Sequence, residues 1–93
     1  MKISQEKKEV ISEQVLAFLY SNHPKAMFTA HIAKGTARDE EFMKKILKYL
    51  KEKKIISEIK MNPNGKTYKT RSRWALSDKT YIFYKNSQTN NYL

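Results

Sequence analysis

Cysteine is absent from the chain, and only two glycines and two prolines punctuate its 93 residues. Without thiols there are no disulfides, no thiolate metal site and no cysteine nucleophile, and a reducing interior is permitted. Gly35 and Gly65 stand far apart, so no glycine-rich loop cradles a phosphate. No apolar run approaches the roughly 18 residues of a membrane span. The opening Met1-Lys2-Ile3-Ser4-Gln5-Glu6-Lys7-Lys8-Glu9 also lacks a signal peptide's apolar core, so the protein is expected to work where it is made, in the cytoplasm. The only histidines, His23 and His31, have no obvious further ligand, and neither a metal nor a cofactor is expected. Beyond Glu40 and Glu41, which helix capping explains, there is no tight carboxylate pair, and the sequence predicts no enzyme.

Acid is scarce as well: nine Asp+Glu face nineteen Lys+Arg, for a formal charge of +10. That balance favours a polyanionic partner, nucleic acid before anionic membrane. From Lys60 to Lys85 the bases Lys60, Lys66, Lys69, Arg71, Arg73, Lys79 and Lys85 meet Asp78 alone. The length suits one small domain, expected over residues 1–85, followed by a polar tail, 86–93.

The clearest periodicity lies between Arg38 and Lys54. Advancing about 100° per residue puts Phe42, Met43, Ile46, Leu47 and Leu50 on one face and Glu41, Lys44, Lys45, Lys48 and Glu52 on the other. Thr36 or Asp39 caps this helix, with Glu40 and Glu41 in its positively polarised first turn. Before it, Ser4 or Gln5 opens a helix carrying Val10, Ile11, Val15, Phe18 and Leu19 that ends near Ser21, ahead of a loop at Pro24. Phe28-Thr29 reads as staple and N-cap of a short helix, Ala30 to Lys34, closed by Gly35 in the left-handed region. After it, residues 55–61 and 66–76 read as strands joined by the turn Asn62-Pro63-Asn64-Gly65. On the return strand Tyr68, Thr70, Ser72, Trp74 and Leu76 share one face and Lys69, Arg71 and Arg73 the other, which makes the hairpin a basic ribbon with Trp74 and Tyr68 on its core side. Ser77-Asp78-Lys79 suits a helix cap, whereas Thr80-Tyr81-Ile82-Phe83-Tyr84 has a strand's composition, and both readings stay open.

Thr29-Ala30-His31-Ile32-Ala33-Lys34, the run from Ile46 to Ile56 and Trp74-Ala75-Leu76-Ser77 resemble, in that order, the second helix, the end of the recognition helix and the close of the second wing strand of winged helix-turn-helix proteins. The resemblance covers residues 8–77 and implies a mainly α fold with a small β-hairpin: a three-helix core, a wing and a C-terminal segment. Size and basicity are similar to PadR- and MarR-like regulators and to small DNA-binding proteins of archaeal plasmids and viruses, including those that coat a plasmid's partition site. Two departures stand out: Lys54 takes a position where many relatives have glycine, and the turn Gly35-Thr36-Ala37-Arg38 lacks the usual large apolar residue.

The physics points to double-stranded DNA independently, because a major groove about 12 Å wide admits one helix whose lysines reach phosphates and base edges together. The recognition helix is expected over about 39–54, with Arg38, Glu41, Lys44, Lys45 and Lys48 toward the DNA. The wing, about 57–76, is expected to bring Lys66, Lys69, Arg71 and Arg73 to the backbone or minor groove. Glu40 and Glu41 either cap the helix or accept from cytosine, and Thr29 and His31 either donate to phosphate or serve locally. A homodimer is expected, joined through Val10, Phe18, Tyr81, Ile82, Phe83 and Tyr84. Such a protein acts as a transcriptional regulator or as a partition-site protein that spreads on DNA, with a protein partner in segregation or transcription. The alternative is a nonspecific chromatin-like or RNA-binding basic module. No small-molecule effector is expected.

Overall fold

Asp39, whose carboxylate accepts a hydrogen bond from the Phe42 backbone N–H at 3.0 Å, caps the helix on which the rest of the fold packs. The computed structural model of the chain describes residues 4–60 and 72–90, the side chains of 88–90 excepted. The elements are α1 (Gln5–Asn22), β1 (Met27–Phe28), α2 (Thr29–Gly35), α3 (Glu40–Glu52), β2 (Ile56–Ile59), β3 (Arg73–Leu76) and α4 (Asp78–Asn90). Met43, Ile46, Leu47 and Leu50, the apolar stripe of α3, are at most 1% exposed. They meet Ile11, Val15 and Leu19 of α1, Ile32 of α2, and Ile56, Trp74 and Leu76 of the sheet in one core.

α1 begins where expected, with Ser4 Oγ accepting from the Lys7 N–H at 3.2 Å. α2 begins one residue early. Phe28 occupies its N-cap position without a side-chain hydrogen bond, and Thr29 is buried rather than capping. The residues just before it form β1, a strand the sequence did not suggest because it is only two residues long. β1 pairs antiparallel with β3 (Met27 opposite Trp74, Phe28 opposite Arg73), and β2 pairs with the other edge of β3 (Ile56 opposite Leu76, Glu58 opposite Trp74). The order β1-β3-β2 therefore places Trp74 on the middle strand. Its indole N–H donates to Thr29 Oγ1 at 2.8 Å and ties the sheet to α2.

The ends of α2 and α3 are built alike. After α3, the Ile55 N–H reaches Leu50 O (3.0 Å) and the Lys54 N–H reaches Lys51 O (2.8 Å). After α2, the Arg38 N–H reaches Ala33 O (2.8 Å) and the Ala37 N–H reaches Lys34 O (3.2 Å). This is the Schellman pattern, which requires a left-handed residue just past the helix. Lys54 (φ 63°) and Ala37 (φ 55°) supply it, so Gly35, expected in that role, is instead the last residue of α2. Gly35 serves close packing: a Cβ there would meet the Phe18 ring at 2.2 Å. Because a side chain is strained at positive φ, Lys54→Gly is expected to stabilise the fold by about 0.5–1 kcal/mol, net of the entropy glycine adds to the unfolded chain. Thermal denaturation followed by circular dichroism should register a rise in Tm of roughly 2–8 °C.

The open choice at residues 80–84 resolves as helix. Ser77 Oγ accepts from the Thr80 N–H at 3.2 Å, a cap that outweighs the strand composition behind it. Helical spacing then sets Tyr81 and Tyr84 on one face against Tyr20, at ring centroid distances of 5.7 and 4.9 Å. Tyr81 also stacks on His23 at 3.7 Å. α4 continues through residues 86–90, which the sequence reading assigned to a polar tail.

Candidate nucleic-acid interface

The outer face of α3 is cationic for a geometric reason. Residues four apart lie side by side on a helix, so Lys44 and Lys48 form one row beside Lys45, all exposed and directed away from the buried stripe. Lys45 and Lys48 have no ion-pair partner among the described residues, whereas Lys44 Nζ lies 3.1 Å from Glu41 Oε1. Glu41 is thus an ion-pair partner of one lysine. Arg38 reaches back to α1, donating to Gln14 Oε1 at 3.3 Å.

A hollow between the starts of α2 and α3 and the foot of β3 is lined by His31, Glu40, Lys44 and Ser72. His31 is exposed there and meets Phe28 edge-on at 5.9 Å, while the Arg73 guanidinium lies 6.0 Å from the Phe28 ring centroid. The structure thus gathers His31 and Lys44 around one hollow and sets Arg73 beside Phe28. Thr29 is 8% exposed with its hydroxyl occupied by Trp74, which removes it from the surface on which the sequence had set it. Lys66, Lys69, Arg71, Tyr68 and the turn at 62–65 lie outside the described residues.

Sequence reasoning missed the brace between α3 and the wing. Lys51 Nζ lies 2.6 Å from Glu58 Oε1 on β2, and Ser72 Oγ donates to Glu58 Oε2 at 2.5 Å. A signal was present: Glu58 and Asp78 are the only carboxylates after Glu52. Burial pushes the Glu58 carboxyl up, but the bonds from Lys51 and Ser72 outweigh it and its pKa falls below 4.5. A depressed carboxylate pKa contributes stability that is complete above the unfolded value and is lost as pH falls through the folded one. Glu58→Gln is therefore expected to lower Tm at pH 7 while making Tm less sensitive to acid below about pH 4.5, as measured by thermal melts across pH.

The six residues expected at a dimer interface separate into two groups. Val10, Ile82 and Phe83 are 58%, 56% and 70% exposed. Phe18 packs on Gly35, and Tyr81 and Tyr84 are half-buried in the aromatic cluster that fastens α4 to α1. Glu6, Glu9 and Glu13 flank Val10 on the outer face of α1. A groove of about 820 Å³ between α1, α4 and Lys53-Lys54-Ile55 has Leu16, Phe83 and Tyr84 in its walls. Among the described residues no cluster of metal-ligating side chains occurs, and no helix is long and apolar enough to cross a membrane.

No protein-family model matches the chain, and no curated protein matches it. Solved structures do. A variant of Lactococcus lactis ZitR superposes with a TM-score of 0.67 at 22% identity, over 96% of this chain and 56% of that one. The S. aureus MepR–DNA complex matches with a TM-score of 0.66 at 20% identity, over 92% of this chain and 74% of that one. A MarR family transcriptional regulator from Silicibacter pomeroyi gives 0.66 at 18% identity, over 88% and 53%. The chain spans about half the length of several such structures. Four helices and a three-stranded antiparallel sheet in this order, superposing on these proteins, make the chain a winged helix-turn-helix fold of the kind seen in MarR-family regulators.

Proposed function

We propose that this protein is a site-specific double-stranded DNA-binding regulator that inserts α3 into the major groove and lays its wing on the adjacent backbone. The observation that carries this reading is the exposed lysine row of α3, held rigidly above a fully buried apolar stripe. Lys45 and Lys48 face the base edges, and Lys44, His31 and Arg73 lie toward the wing-side phosphates, with Lys66, Lys69 and Arg71 assigned to the wing. Glu40 and Glu41 serve the helix start and Lys44 rather than cytosine. The solved MepR–DNA complex supports the reading by fold.

The protein acts as a homodimer on this reading. Val10, Ile82 and Phe83, large apolar side chains left exposed, form the apolar part of the contact. The groove against α4 lies beside that contact. Selection from a random duplex pool, followed by footprinting at two salt concentrations, tests the proposal. A bounded, two-fold symmetric footprint is the expected result. A footprint that lengthens with protein concentration marks a partition-type protein, and equal binding to all duplexes or to RNA overturns site specificity. Affinity is expected to fall by about 10³-fold or more between 50 and 200 mM salt if six or more phosphates are neutralised.

A further inference from the structure

The flanks of α3 are not alike. Lys44 and Lys51, seven residues apart, share one flank, and the bond from Lys51 to Glu58 marks it as the wing side. Phe42 and Tyr49 share the other flank, with Lys53 one turn beyond Tyr49, and there the neighbour is the first turn of α1. Gln5 Nε2 donates to the Tyr49 hydroxyl at 3.4 Å, Lys8 Nζ sits 4.4 Å from the Tyr49 ring centroid, and Lys53 Nζ sits 5.0 Å from it. Two ammonium groups are thus drawn to one phenol ring; Glu9 reaches the cluster only through Gln5 Nε2, at 3.4 Å, and neither lysine has an ion-pair partner among the described residues. The hydrogen bond from Gln5, together with Lys53 and Lys8, holds that phenol below its ordinary value of 10.0 against the opposing effect of burial. Cation–π contact accounts for about 0.5–1 kcal/mol per exposed lysine, but it leaves both charges unneutralised.

A helix lying in a major groove has a phosphate wall on each side, and the wing reaches only one of them. We propose that Lys8 and Lys53, gathered around Tyr49, bind the DNA phosphates of the groove wall opposite the wing, so that α1 takes part in the interface. The occupant is the DNA backbone. Its charge matches the two unneutralised ammoniums, and the cluster borders the lysine face already assigned to the groove. This inference rests on the DNA-binding reading.

The test is the slope of log affinity against log salt for the wild-type protein and for a Lys8→Ala/Lys53→Ala double variant, on a selected duplex and on an unrelated one. The slope is expected to become shallower by about 1.8, close to 0.9 for each lost phosphate contact, and by the same amount on both duplexes. Phosphate-ethylation interference should disappear from the wall opposite the wing and persist on the wing side. An unchanged slope overturns the proposal and leaves the cluster as packing between α1 and α3. Should the double variant fold poorly, Lys53→Gln, at an exposed position, carries the same test with an expected change of about 0.9. Wild-type protein that binds no duplex overturns this inference and the DNA reading together; wild-type binding with an unchanged variant slope overturns this inference alone.

Discussion

Replacing Lys44, Lys45 and Lys48 together with alanine is expected to weaken binding to the selected duplex by about 10²- to 10³-fold at fixed salt. Each lysine contact with a base or phosphate contributes roughly 1–1.5 kcal/mol, and the three share one exposed face. The fold should be untouched, since all three side chains are exposed and the Lys44–Glu41 pair is a surface ion pair contributing about 0.5 kcal/mol or less. Fluorescence anisotropy on selected and unrelated duplexes, with a thermal melt of the same sample, checks both halves. The decisive quantity is the difference between the two duplexes. If the variant loses preference for the selected site, α3 reads bases. If both affinities drop by an equal small factor, the lysines merely add charge, and the wing carries the binding.

Trp74→Ala is expected to destabilise the protein by about 3–5 kcal/mol, the range for removing a large buried aromatic. Three elements depend on this side chain: it is 4% exposed, sits on the central strand between β1 and β2, and hydrogen-bonds to Thr29 of α2. A 93-residue domain has roughly 5–14 kcal/mol of stability in total, so the loss takes a large share of it. Urea unfolding should show a much lower midpoint with little change in slope. Trp74→Phe separates volume from polarity. It keeps most of the apolar contact and strands the Thr29 hydroxyl, at a cost of about 1–3 kcal/mol. A Trp74→Ala midpoint close to wild type would mean that β1 and α2 are not held by this contact.

The elements most legible from sequence were those with a long, unbroken period. α3 declares itself through Phe42, Met43, Ile46, Leu47 and Leu50, and α1 through Ile11, Val15 and Leu19, because four turns of consistent patterning leave one way to bury them. β1 was not legible, since two residues carry no period and their pairing with β3 is settled 45 and 47 residues away. At Thr80 to Tyr84 local composition favoured a strand, and the outcome was decided by a hydroxyl cap at Ser77 and by Tyr20, a partner on another helix. The lysine row of α3 was readable because a helix face follows from spacing alone. The Glu58 brace and the lysines around Tyr49 were not, because each joins side chains from elements whose relative placement no spacing rule supplies.

The acids of α1 and the lysines of α3 both point away from the core the two helices share, and so the protein is electrically lopsided as well as positively charged. In the field around a DNA rod such a molecule experiences a torque as well as a pull. On the DNA-binding reading proposed above it arrives with its lysine face forward, and more of its collisions are productive than random tumbling would allow. That advantage belongs to the speed of encounter. It is largest in dilute salt and fades once charges are screened beyond about 10 Å, near 0.1 M ionic strength.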